Sequence, residues 1–135
     1  KFIEKQIKLN KPEIIFTHFE NDLNIDHQII YKAVITATRP LSKTFVNKIY
    51  SFEIPSSTDF SVSRKTKKIF NPNFYINVDS TIDKKINLLK IYTDEIKKWP
   101  HSRSLKSIKN LAMYRGSQIG IKYAEAFIIV RELQN

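Results

Sequence analysis

The amino-acid sequence predicts an α/β fold with a largely parallel sheet flanked by helices. Three observations carry that expectation. Short continuous apolar runs, Ile14-Ile15-Phe16 and Ala126-Phe127-Ile128-Ile129-Val130, have the length of strands buried on both faces. Between them lie segments whose apolar residues recur at helical spacing, above all residues 26–38 and 104–119. The resulting order (strand, helix, strand, strand, helix, helix, strand) belongs to α/β chains and not to helical bundles or sandwiches.

Each element has its own local reason. Residues 1–9 set Phe2, Ile3 and Ile7 among charges and read as the end of a helix, which Asn10-Lys11-Pro12 breaks. Residues 13–17 form the first strand, followed by a polar stretch, His18 to Asn24, at its C-terminal end. Open α/β sheets bind ligands at that edge. A helix over 26–38 presents Ile29, Ile30, Ala33, Val34 and Ala37 on one face, and Arg39-Pro40 stops it. Residues 48–54, rich in Ile, Tyr and Phe, read as a second strand. A polar loop follows at 55–59, then a polar excursion over 61–68. Residues 74–78 form a short strand. Ser80-Thr81-Ile82-Asp83 has the form of a capping box opening a helix with Ile82, Ile86, Leu89 and Tyr92 or Ile96 inward, ended by Trp99-Pro100. The helix over 104–119 turns Leu105, Ile108, Leu111, Ala112 and Ile119 to one side, and Gly120 suits a left-handed termination. Residues 121–132 close the chain as a strand.

Composition bounds the function. A chain of 135 residues suffices for one domain, and 41% hydrophobic with 12% aromatic content argues for a packed core over disorder. No apolar run approaches the roughly 18 residues of a membrane span. The absence of cysteine excludes disulfides and thiolate zinc sites, and fits a cytoplasmic protein. Lys1 is not an initiator methionine, so the first helix is expected to continue from earlier polypeptide. The net charge of +10 invites a nucleic-acid reading. However, the excess is spread along the last two thirds of the chain, and only Arg64-Lys65-Thr66-Lys67-Lys68 is dense. No nucleic-acid motif accompanies it, so a solvated lysine surface is the expected role and no nucleic-acid partner is expected. The alternatives are a basic module binding nucleic acid or an anionic polymer, and a noncatalytic remnant.

The densest polar cluster is Thr17-His18-Phe19-Glu20-Asn21-Asp22-Leu23-Asn24-Ile25-Asp26-His27. Asp22, Asn24 and Asp26 alternate like the start of an EF-hand loop, but His27 stands where glycine is needed and Ala33 where a bidentate glutamate belongs. Calcium is excluded on those grounds. A transition metal remains open: His27 at a helix start can present a ring nitrogen to the sheet edge, with neighbouring carboxylates orienting it. His18, His27 and His101 show no ligand spacing, so on spacing alone a hydrogen-bonded loop histidine is the favoured reading. No Gly-x-Ser-x-Gly elbow and no Gly-rich phosphate loop occur.

The strand ending in Thr17-His18 and followed by Asp22-x-Asn24-x-Asp26-His27 resembles the second metal motif of LmbE-like (PIG-L) N-deacetylases. The likeness continues through Arg39, Ile49-Tyr50-Ser51-Phe52-Glu53, Phe60, Phe70-Asn71-Pro72-Asn73-Phe74-Tyr75, Ile82-Asp83-x-Lys85, Leu89 and Tyr92. Its most specific part is His101-Ser102-Arg103-Ser104, Leu111-Ala112, Arg115-Gly116, Gly120 and Tyr123-Ala124-Glu125-Ala126-Phe127. The resemblance runs from Pro12 to Phe127.

What it implies is a Rossmann-like domain holding one zinc ion and removing the acetyl group from an N-acetylated sugar or glycoconjugate. Residues 1–135 would be the C-terminal portion of that single domain, without the N-terminal strand and the His-Pro-Asp-Asp-Glu type segment that carries two ligands and the aspartate base. As such, the 135 residues alone would be inactive. By the resemblance His27 is the third ligand. Asn24 stands where the family often has a histidine, so it would donate a hydrogen bond to an oxyanion but not shuttle a proton. Asp26 would charge or orient the site, or simply cap the helix. His101 and Arg103 would lie near the pocket mouth, with a structural hydrogen bond and a helix-capping surface arginine as their other readings. Tyr123 would turn its hydroxyl toward the site. Arg115 and Glu125 would form a structural ion pair. Family members often assemble, so a homo-oligomer is an open expectation.

Overall fold

The computed structural model describes residues 2–40, 46–61 and 69–134. The elements run α1 (Phe2–Asn10), β1 (Ile14–His18), α2 (Ile25–Ala37), β2 (Lys48–Phe52), β3 (Phe74–Asn77), α3 (Ile82–Leu89), α4 (Leu105–Ser117) and β4 (Ala124–Glu132). The four strands form one sheet in the order β1-β2-β4-β3. The α/β architecture is thus as the sequence predicts. The expected largely parallel register is narrower: β1 and β2 are parallel, and β2 and β4 are antiparallel with an irregularity at Ile49/Tyr50. An apolar run such as 126–130 reports burial, not direction, so its sense could not be read.

The chain divides into two compact units, Lys1–Asn73 with Phe127–Asn135, and Phe74–Ala126. In the first unit, Ile7 of α1, Val34 and Ala37 of α2, Val46 just before β2 and Ile49 within it form the core, with Ile15 and Val130 packed against it. Residues paired across a sheet share a face, so Ile15 and Ile49, which are partners, look toward the helices. The alternate residues Phe16, Tyr50 and Phe127 meet on the other face, with ring centroids 5.6 and 5.2 Å apart. Arg131 Nη1 donates to the Thr38 carbonyl at 2.6 Å and ties β4 to the end of α2.

α2 departs from its expected face. Val34 and Ala37 are buried, but Ile29 and Ile30 are exposed. The basic run 64–68 lies outside the described residues.

In the second unit Ile82 is 2% exposed and seats α3. The expected capping box does not form. Thr81 is the N-cap without a side-chain capping bond, and the Val78 carbonyl accepts from Ile82 N at 2.8 Å. Asp83 instead pairs with Lys109 at 2.8 Å. α3 also ends at Leu89, and turns occupy 90–95. α4 begins at Ser104, whose hydroxyl accepts from Ser107 N at 3.1 Å. Gly120, with φ of 77°, follows its end as expected.

Candidate functional site

The site grows from the polar connection between β1 and α2. After His18, Phe19 is buried edge-on against Phe70, with centroids 5.4 Å apart at 88°, which fixes the start of the loop. Asp22 follows and has no exposed surface. A buried carboxylate persists only when it is hydrogen-bonded. Here Ser57 Oγ donates to Oδ1, Thr58 Oγ1 donates to Oδ2 at 2.9 Å, and the Asn24 amide donates to Oδ1 at 3.2 Å. Gln28 Nε2 donates to the Asp22 carbonyl at 2.6 Å, and the Leu23 amide to the Ser57 carbonyl at 3.3 Å. The loop after β2 and the loop after β1 are therefore laced together around one acid.

Asn24 is the N-cap of α2, its side chain accepting from Asp26 N at 2.9 Å. Its Nδ2 lies 3.4 Å from His27 Nε2. The other ring nitrogen, His27 Nδ1, is 3.3 Å from Asp22 Oδ2, within ion-pair distance but angled so that no regular hydrogen bond forms. The His27 ring stacks on His18 with centroids 4.1 Å apart at 23°, and His18 tilts against Phe52 at 5.0 Å. Burial, then the neighbouring His27, hold the His18 imidazole below its ordinary value, with Asp22 opposing. His18 Nδ1 is buried with no hydrogen-bond partner among the described residues.

Of the residues expected to act, Asn24, Asp26 and His27 come together here. The capping position belongs to Asn24 and not to Asp26. Asp26 contributes its amide to the cap, and its exposed carboxylate lies in the first turn, where negative charge suits the helix dipole. Asp22 and His18 were not singled out by sequence reasoning, although both lie inside the motif it quoted. Ser57 and Thr58 had no local signal, because their partner is 35 and 36 residues away in the chain.

His101, Arg103 and Tyr123 belong to the second unit. His101 Nδ1 accepts from the Arg103 amide at 3.0 Å, and its carbonyl accepts from Ser107 Oγ at 2.9 Å, shaping the turn into α4. Arg103 Nη1 pairs with Glu95, while its Nε and Ser102 Oγ are buried without a hydrogen bond among the described residues. The Tyr123 amide donates to Asp79 Oδ1 at 2.6 Å, and Lys109 Nζ lies 5.5 Å over its ring. The expected Arg115–Glu125 pair is replaced. Glu125 pairs with Lys85 at 2.6 Å, and Arg115 Nη1 reaches Gln118 at 3.1 Å, the neighbour one turn along at the end of α4.

A groove of about 640 Å³ opens beside the first loop, with Phe19, Glu20, Tyr31 and Phe70 among its walls, and it holds none of the residues expected to act. Burial, then Glu20, push the Tyr31 phenol above its ordinary range. Among the described residues no cluster of three or more His, Cys, Asp or Glu could hold a metal ion. The donor chemistry fits one corner of a zinc site, an imidazole backed by a carboxylate, and not a complete cage.

By its topology the chain is an open α/β protein, and its fold is similar to that of known solved structures. In particular, it is similar to the conserved protein TT1542 from Thermus thermophilus, with a TM-score of 0.74 and 16% identity over 99% of this chain and 59% of that one. It is also similar to N,N'-diacetylchitobiose deacetylase from Pyrococcus horikoshii, with a TM-score of 0.69 and 13% identity over 96% of this chain and 50% of that one. The chain thus spans between a half and three-fifths of the length of these solved structures, and the likeness is one of fold. No protein-family model matches the sequence, and no curated protein matches it.

Proposed function

We infer that the chain is the C-terminal part of a zinc-dependent hydrolase that removes an acetyl group from an N-acetylated sugar or glycoconjugate. The observation that carries this reading is the placement of His27. Its ring lies at the C-terminal end of β1, backed by a fully buried Asp22, on a fold similar to that of a deacetylase. His27 would hold the metal, and the remaining ligands and the base would come from polypeptide outside these 135 residues. When bound, zinc supplies Lewis-acid activation of the amide carbonyl and of a water.

The chain's own residues have narrower tasks. Asp22 orients the His27 ring. Asn24 fixes the start of α2, and its side-chain amide keeps a second proton with which to donate to a developing oxyanion. Asp26 adds negative charge beside the site. His101, Arg103 and Tyr123 are proposed to bind the sugar.

The test is metal analysis of the complete protein by mass spectrometry after gel filtration. His27→Ala is expected to abolish zinc retention and N-acetyl hydrolysis together, while the 135-residue chain alone binds zinc weakly. A full zinc complement in the His27→Ala protein would remove this assignment.

A further inference from the structure

The tautomer of a metal-binding histidine decides which nitrogen carries a lone pair. Around His27 that choice follows from the helix cap. Asn24 Oδ1 must be the oxygen, because it accepts the Asp26 amide at 2.9 Å. The other terminal atom is then the NH2 group, which can only donate. It faces His27 Nε2 at 3.4 Å, so Nε2 is the acceptor nitrogen and the ring proton sits on Nδ1. Nδ1 in turn faces Asp22 Oδ2 at 3.3 Å, where a proton is attracted by a carboxylate.

The orientation of Asp22 is set in the same way. Thr58 Oγ1 accepts the Ile54 amide at 2.8 Å, and Ser57 Oγ accepts the Asn24 amide at 3.3 Å. Each hydroxyl has one proton and donates it to Asp22. Asp22 receives donors on both oxygens, which fixes the orientation of its carboxyl group toward His27. Thr58 and Ser57 sit on the loop after β2, so a segment distant in the sequence takes part in setting the geometry at His27.

We propose that Asp22 is a positioning residue that holds His27 in the Nδ1–H tautomer with the Nε2 lone pair presented at the strand edge, and that Ser57 and Thr58 hold Asp22 in that role. The link to metal rests on the function proposed above; the tautomer does not.

The experiment is long-range ¹H–¹⁵N NMR of the histidine rings in the 135-residue chain without metal. The wild type is expected to show His27 with a protonated Nδ1 and an unprotonated Nε2. Asp22→Asn and Thr58→Val are expected to move His27 toward the Nε2–H form, and Thr58→Ser, which keeps the hydroxyl, to restore the wild-type pattern. A wild-type His27 protonated on Nε2 overturns the proposal whether or not any variant folds. So does an unchanged ring pattern in a folded Asp22→Asn or Thr58→Val chain. In the complete protein, Asp22→Asn is expected to lower zinc affinity by about 10–100-fold, the usual effect of losing an outer-shell partner. Should zinc leave the His27 ring signals untouched in that protein, the metal assignment fails while the tautomer result stands.

Discussion

Asn24 shows how one side chain can serve two neighbours. Its oxygen satisfies a free amide at the start of α2, and its nitrogen faces the ring of His27. The two services separate by substitution. Asn24→Ser keeps a capping oxygen and loses the amide facing the ring, whereas Asn24→Ala loses both. Thermal unfolding followed by circular dichroism is expected to show Asn24→Ala less stable by about 1 kcal/mol and Asn24→Ser close to wild type. The sequence could not decide which of Asp22, Asn24 and Asp26 starts the helix, since all three are capping-type residues at alternating positions. What decides it is a long-range contact. Ser57 and Thr58 claim Asp22, and Asn24 becomes the nearest residue with a free oxygen.

The elements were legible where periodicity and punctuation agreed, and less so where a helix was set by its neighbours. The 104–119 pattern yields α4 almost to the residue, because Ser104 caps it and the turn at Gly120 ends it. The 80–98 pattern yields only Ile82–Leu89. The Ile91 and Tyr92 amides turn back to Leu88 and Leu89 at 3.1 Å, and Thr93-Asp94 favour turns over helix. Gly116 carries a constraint that no local rule exposes. A Cβ there would lie 2.7 Å from the Ile121 carbonyl oxygen and 2.8 Å from the backbone of Lys122. Backbone cannot step aside as a side chain can. Gly116→Ala is therefore expected to destabilise the protein by about 1–3 kcal/mol in denaturant unfolding, although alanine is the better helix former. Stability equal to wild type would show that the α4-to-β4 turn yields more easily than its contacts imply.

At the scale of the whole molecule, the α/β class was readable from element order, and the site's polar loop from its position after a strand. Strand direction was not readable, nor was the division into Lys1–Asn73 with Phe127–Asn135 and Phe74–Ala126. Both depend on which distant segments pair, and an apolar run of five residues carries no record of its partner. No described helix is long and apolar enough to cross a membrane. The strand order carries a further consequence. β1 is outermost, and Ile14 and Phe16, on the face away from α2, stay 43% and 47% exposed. Such a rim is a template along which another chain can lay its own strand, and neither side chain carries a charge to discourage that. Light scattering on the 135-residue chain should show association that grows with concentration, and Ile14→Lys should suppress it by placing a solvated ammonium where a greasy side chain invites company.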